Sequence, residues 1–263
     1  MVIINDIYAF LNEIAPVRYQ MDFDNAGFLV GDGGTAVKNA LLALDITDAV
    51  IAEAIELRAQ LIVSHHPLIF TPLRHATTDD LAGRKVLTMA RHGISAICMH
   101  TNLDAAEGGV NDVLADLFGI RQRTAFADGC GRVGDIDPIT VPELAALAQR
   151  KLAALCNAPD TGTAVQVKFA DTGKPVRRLA VISGAGGSLF AEAIAEGADC
   201  LLTGEANHHH AIDAKRLGLS LIAAGHYATE FPVTAAVAEK LRTAFPELEV
   251  LVSEDARDPY TYL

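Results

Sequence analysis

Val/Ile/Leu-rich runs alternate along this chain with longer Ala-rich stretches of helical pattern. Ile4 to Ile14 predicts an amphipathic helix with Asn5 or Asp6 at its start. Met21 to Asp32 reads as a polar turn, a short apolar strand and a second turn. Ala40 to Leu44 predicts a strand ending in Asp45, and Asp48 to Arg58 a helix. The apolar run Leu61 to Val63 predicts a short buried strand, and Pro67 stops any regular continuation. Helix Leu81 to Arg91 leads to strand Ile94 to Met99, which ends at His100. Thr101 to Gly109 reads as a loop and Val110 to Leu117 as a helix. Such β–α alternation predicts an α/β fold with mostly parallel sheets and helices on their faces.

Around Arg123 to Gly131 the pattern breaks into a polar, glycine-containing connection, which predicts a domain boundary. Strand-like Val133 to Ile136 follows. Pro142 then sits at the first turn of helix Glu143 to Leu155, where a missing N–H is harmless. Further strands are expected at Ala164 to Phe169 and Leu179 to Ile182. Gly184-Ala-Gly-Gly187 opens helix Ser188 to Ala195. It lacks both dinucleotide-fingerprint spacing and the Lys-Ser/Thr of a P-loop, so it reads as a tight turn with close helix packing. Strand Asp199 to Leu202 runs into Thr203 to Ala211 and a short helix. Strand Leu219 to Ala223 precedes the segment Gly225 to Pro232. Helix Val233 to Phe245 and strand Leu248 to Val252 close the pattern before an irregular tail.

Composition narrows the reading. The 263 residues are 51% apolar, enough to bury a substantial core. A net charge of −12 argues against a general nucleic-acid binder, although Arg121, Arg123 and Arg132 lie near one another in sequence. Divalent cations are more natural guests of such a chain than polyanions. The four cysteines, Cys98, Cys130, Cys156 and Cys200, are scattered without a C-x-x-C pair, which suits reduced thiols. The N-terminus has no basic n-region or cleavage site, and no apolar stretch reaches membrane-spanning length. A cytoplasmic protein is expected.

Four of the predicted strands end in residues able to hold a metal. They are His65-His66; His100 with Asp104; Glu205 with the run His208-His209-His210; and His226 with Glu230. Ligands of open parallel sheets bind beyond the carboxyl ends of the strands. A plain strand would send the adjacent imidazoles of His65 and His66 to opposite faces, but a ragged strand end lets them splay around one small volume. Pro232 is best tolerated in a helix's first turn, so a helix is expected to start near Thr229. That puts His226 in the preceding turn and Glu230 at the helix N-terminus, where the dipole favours a carboxylate able to bridge cations. No thiolate accompanies these groups, and imidazole with carboxylate suits Zn, Fe, Mn, Co or Ni. Two ions sharing a carboxylate at roughly 3.5–4 Å make a hydrolytic arrangement.

Ser64-His-His-Pro-Leu-Ile-Phe70, His100-Thr-Asn-Leu-Asp104 and Gly225-His-Tyr-Ala-Thr-Glu230 resemble the motifs of the Nif-three-like family. Asp24 to Asp32, Gly131-Arg-Val-Gly134, Ser183 to Gly187 and Thr203-Gly-Glu205 also match in order, so the resemblance spans nearly the whole chain. It implies two intertwined α/β domains: a metal-binding domain of residues 1–127 completed by 225–263, and a second of 128–224. It further implies a toroidal homohexamer, a trimer of dimers, with two divalent ions per subunit. Carried onto this sequence, His66 and Asp104 hold one ion, His65 and His226 the other, and Glu230 bridges. His100, His209 and Tyr227 stand nearby as supporting or proton-handling groups. The family more often has Gly-Asp where Gly204-Glu205 stands here, and often Asp at position 210, which is histidine.

Proteins of this resemblance are often labelled GTP cyclohydrolase 1 type 2 homologues. The label implies a hydrolase in which a metal-activated water attacks a purine-ring carbon, with Glu230, His100 and His209 as catalytic groups. A cyclic amide or a phosphoester suits the same chemistry, and no aromatic base platform is evident in the sequence. The competing expectation is a non-catalytic hexameric metal-handling or regulatory scaffold.

Overall fold

The computed structural model describes residues 1–157 and 165–262. In chain order its elements begin with α1 (Ile4–Ile14), β1 (Gly27–Val30), β2 (Asn39–Ala43), α2 (Asp48–Glu56), β3 (Leu61–Ser64), α3 (Leu81–His92) and β4 (Ser95–Cys98). There follow α4 (Thr101–Ala105), α5 (Val110–Leu117), β5 (Arg121–Phe126), β6 (Gly131–Ile139), α6 (Val141–Ala153), β7 (Lys168–Ala170) and β8 (Val176–Ile182). The chain closes with α7 (Phe190–Ala195), β9 (Cys200–Thr203), α8 (His208–Arg216), β10 (Ser220–Ala223), α9 (His226–Glu230), α10 (Pro232–Ala244) and β11 (Glu249–Val252). Ala164, where one strand was expected to begin, lies outside the described residues.

Two compact units result. The first comprises Met1–Glu107 with Val233–Ala256, the second Gly108–Pro232 with Arg257–Leu263. These cuts fall elsewhere than residues 127 and 225. Helix α5 belongs to the second unit because Leu114 and Ala115 enter its core, and Ala228 of α9 packs in that same core. Of residues 225–263, expected to complete the first domain, Val233–Ala256 fall in the first unit and the flanking residues in the second.

The first unit holds the sheet β1-β4-β3-β2-β11, parallel except for β1. Strands β2, β3 and β4 read as almost unbroken apolar runs because both faces of a parallel sheet are covered. The second unit holds the sheet β5-β6-β8-β9-β10-β7, in which β8, β9 and β10 run parallel and the outer pairs antiparallel. Alternation divides its apolar residues between two cores. Leu179 and Val181 of β8 face one, Ala180 and Ile182 the other.

Two local expectations fail. The polar stretch from Arg123 is strand β5, paired antiparallel to β6 and closed by a tight turn at Ala127-Asp128 with φ of 51° and 53°. As an edge strand it buries only Phe126, which left no apolar pattern to read. The expected loop after His100 begins with the short helix α4. The three arginines form no basic patch either. Arg121 pairs with Asp137, Arg123 with Asp116 and Asp112, and Arg132 with Asp112.

Candidate metal centre

The in-register ends of β2, β3 and β4 organise the chemistry of the first unit. Ala43, Ser64 and Cys98 lie side by side across the sheet. Asp45, His66 and His100 each come two residues later, so pleat parity turns them toward the same side. Ladder-like bonds continue past the strands, with His66 N donating to Leu44 O at 2.9 Å and Met99 N to Ser64 O at 2.8 Å. His66 Nδ1 lies 2.8 Å from Asp45 Oδ1 and His100 Nδ1 2.8 Å from Asp24 Oδ1. The buried ring of His65 sets Nδ1 2.8 Å from Met99 O.

All three imidazoles thus turn Nδ1 to an oxygen acceptor. That fixes the tautomer protonated at Nδ1 and leaves Nε2 as the basic nitrogen, which is how metal-ligating histidines are held. The ring centroids are 5.0 Å apart for His65 and His66, 5.3 Å for His65 and His100, and 5.6 Å for His66 and His100. One ligand atom from each residue lies within 4.8 Å of the others, close enough for one ion to be shared.

Helix α4 adds Asp104 to this cluster. Its first turn is capped from a distant loop: Asp24 Oδ2 accepts Thr101 N at 3.0 Å and also the Thr101 hydroxyl. The helix carries Asp104 back over His65, with Oδ1 3.8 Å from His65 Nε2. Burial alone would raise Asp24, whose side chain is fully covered. Hydrogen bonds from His100 and Thr101 outweigh it and hold the carboxyl well below the usual carboxylate range.

The second unit builds its site by another means. Ile182, Thr203 and Ala223 stand in register at the ends of β8, β9 and β10. The turns that follow are laced together, Glu205 N donating to Gly184 O at 2.7 Å and Gly225 N to Gly204 O at 2.9 Å. Gly225, at φ 95°, makes the reversal that starts α9 directly at His226. His226 therefore opens a five-residue helix and Glu230 ends it, contrary to the expected placement in a turn and at a helix N-terminus. Pro232 instead begins α10, where no N–H is needed.

The i,i+4 spacing then sets His226 Nε2 3.0 Å from Glu230 Oε2, while Nδ1 faces Glu205 Oε1 at 3.3 Å. Gly184 makes room for the pair. A Cβ there would lie 2.1 Å from Glu230 Oε1 and 3.2 Å from His226 Nε2. Gly187 is hemmed in by Glu205 O and Ala206, so its turn is a packing device as expected.

A family model described as Duf34/NIF3 (NGG1p interacting factor 3) matches residues 2–259. The chain belongs to the Duf34/NIF3 family. This Duf34/NIF3 chain is 34% identical to a Clostridium perfringens protein named "GTP cyclohydrolase 1 type 2 homolog", over 99% of each chain. A Clostridium acetobutylicum protein of the same name is 32% identical over 98% of each. Among solved structures, a Staphylococcus aureus hypothetical protein superposes with a TM-score of 0.86 at 27% identity, covering 99% of both chains. Reduced HcgD from Methanocaldococcus jannaschii gives 0.80 at 28% identity, covering 95% of this chain and 97% of its own.

The first unit of this Duf34/NIF3 protein brings His65, His66, His100 and Asp104 together, and the second pairs His226 with Glu230. Imidazole and carboxylate donors without thiolate fit a borderline divalent transition metal. His209 is exposed on α8, its ring against that of His208, and His210 is engaged with Asn207 in capping the helix. Tyr227 is buried, its ring stacked on Phe231 at 4.8 Å, and burial raises its phenol well above the usual range. The sequence reading missed the partners Asp24, Asp45 and Glu205 as holders of the histidines. An acid one or two residues beyond a strand was the available signal for Asp45 and Glu205. Asp24 sits in a loop, and its place at the head of the matched stretch Asp24 to Asp32 was its one signal.

Proposed function

We propose that this chain is a metal-dependent hydrolase in which His65, His66, Asp104, His226 and Glu230 would hold two divalent ions. The observation that carries this reading is the gathering of three imidazoles, each with Nδ1 held by an oxygen and each with one ligand atom within 4.8 Å of the others. Histidines placed only for packing have no cause to share that arrangement. When bound, such a pair of ions supplies Lewis acidity, polarising the attacked group and lowering the pKa of water toward neutrality.

The protein's own groups divide the remaining work. Asp24 holds His100 so that its Nε2 accepts or returns a proton, and the buried Asp24 carboxylate stabilises the imidazolium formed. His209, exposed on α8, is proposed as the outer carrier exchanging that proton with solvent. Asp45 keeps the His66 ring from turning. The printed name of the relatives brings opening of a guanine ring within the proposed chemistry. A homohexamer in the cytoplasm is proposed with it. Among the described residues no helix is long and apolar enough to cross a membrane.

Elemental analysis of protein prepared without chelator is the first test, with two equivalents of transition metal per chain expected. GTP, cyclic amides and phosphoesters are then assayed before and after chelation and re-addition of the ion. Activity that follows the metal and disappears in Glu230→Ala supports the hydrolase. Chelation that breaks the assembly, with no activity on either side, makes the chain a metal scaffold instead.

A further inference from the structure

Two large aromatic rings stand in solvent beside the histidine cluster of the first unit. Phe23 is 66% exposed and Phe70 48% exposed, yet their ring centroids lie 6.4 Å apart with planes inclined at 60°. Phe70 also meets the ring of His100 edge-on, at 6.1 Å. Single exposed apolar residues are ordinary. A pair drawn from two loops and set against a titratable cluster is not.

The loops are held so that the pair persists. Of three successive residues, Phe23 faces solvent, Asp24 binds His100 and Thr101, and Asn25 donates through Nδ2 to Ile69 O at 2.6 Å. Ala26 N donates to Gln20 Oε1 at 2.8 Å and closes the same turn. One set of hydrogen bonds therefore positions both His100 and the ring beside it. Preorganised rings bind without a further ordering cost. Inclined at 60°, they form a notch in which one offers its face and the other its edge, the two contacts an aromatic guest prefers.

We propose that Phe23 and Phe70 form a stacking platform for a flat heteroaromatic ring, which makes the substrate of this centre a nucleobase-like compound. A saturated cyclic amide or a simple phosphoester has no π-face to exploit such a notch. The proposal rests on the histidine cluster being the reacting centre and selects among the substrates open to that chemistry.

The test uses the full chain and 2-aminopurine riboside, whose fluorescence falls when its base stacks. Wild type is expected to quench the probe. Phe23→Ala and Phe70→Ala each weaken binding about tenfold. Phe23→Leu and Phe70→Leu, which keep an apolar side chain for folding, weaken it about fivefold, and the tyrosine variants retain it. Zinc titrations of all the variants are expected to match wild type. Absence of quenching by wild type, or leucine variants that bind as wild type does, overturns the proposal. So does light scattering in which the leucine variants fall to a smaller assembly, since the rings then cover a second copy. Quenching by a wild-type chain that takes up no zinc overturns the metal reading and leaves the platform standing.

Discussion

The two units place metal-competent residues at the same kind of address, just past the ends of adjacent parallel strands, and differ in what chiefly secures them. In the first unit each histidine is oriented by a partner: Met99 O for His65, Asp45 for His66, Asp24 for His100. In the second unit His226 also has an acid at Nδ1, Glu205, but it faces Glu230 across one turn of a short helix, and what admits that pair is space left by glycine. Orientation by hydrogen bond tolerates backbone variation but is exposed to loss of an acceptor. Orientation by room tolerates changes in charge but not an added methyl group. The halves should therefore fail to different substitutions.

Gly184→Ala is expected to have the largest effect. The residue has φ 57°, and the new Cβ would lie 2.1 Å from Glu230 Oε1. Left-handed backbone with a side chain costs about 1–2 kcal/mol. Displacing a buried carboxylate adds to this, and about 3 kcal/mol of stability should be lost in urea titration together with metal uptake. A variant as stable as wild type and fully metallated would show that glycine there does not make the room.

Asp24→Asn should follow, at about 2 kcal/mol, because a buried charged acceptor for His100 and Thr101 is replaced by an amide. This effect carries a pH signature. The folded carboxyl is depressed below its unfolded value of about 3.9, so its contribution is complete above that pH. It is lost as pH falls through about 4 toward the depressed folded value. The acid limb of a wild-type stability profile should therefore steepen below about pH 4 relative to Asp24→Asn. Parallel limbs would mean that the carboxylate does not carry the loop.

Asp45→Asn is smaller and purely functional. Asp45 is half exposed, so the fold should be undisturbed, but His66 loses its orienting charge and zinc affinity should fall about tenfold by titration. The smallest effect is expected of His209→Ala on exposed α8. Stability should stay within about 0.5 kcal/mol and metal uptake should be unchanged. Any turnover should fall less than in His100→Ala; a larger fall would reverse the proposed order of the two proton carriers.

Element positions were legible wherever burial left a pattern. Strands β2, β3, β4, β9 and β10 are nearly all buried, and their apolar runs stood out within a residue of the observed bounds. Strand β8 starts three residues earlier than expected because Arg177 and Arg178 interrupt its apolar run. Where burial is absent the reading failed, as at β5 with its exposed Arg, Gln and Thr. Short helices failed for another reason. A helix such as α4 cannot pay for its own nucleation, and the carboxylate that caps it arrives from Asp24 in a remote loop.

Residue types and their spacing determined the family, the alternating α/β plan and a shortlist of strand-end histidines and acids, because those follow from local pattern and donor chemistry. Only the tertiary structure decided which oxygen holds each imidazole, that His226 and Glu230 share a helix face, and that Phe23 stands beside Phe70. Strand register and loop anchoring join residues far apart along the chain. Neither leaves a periodic trace in the sequence.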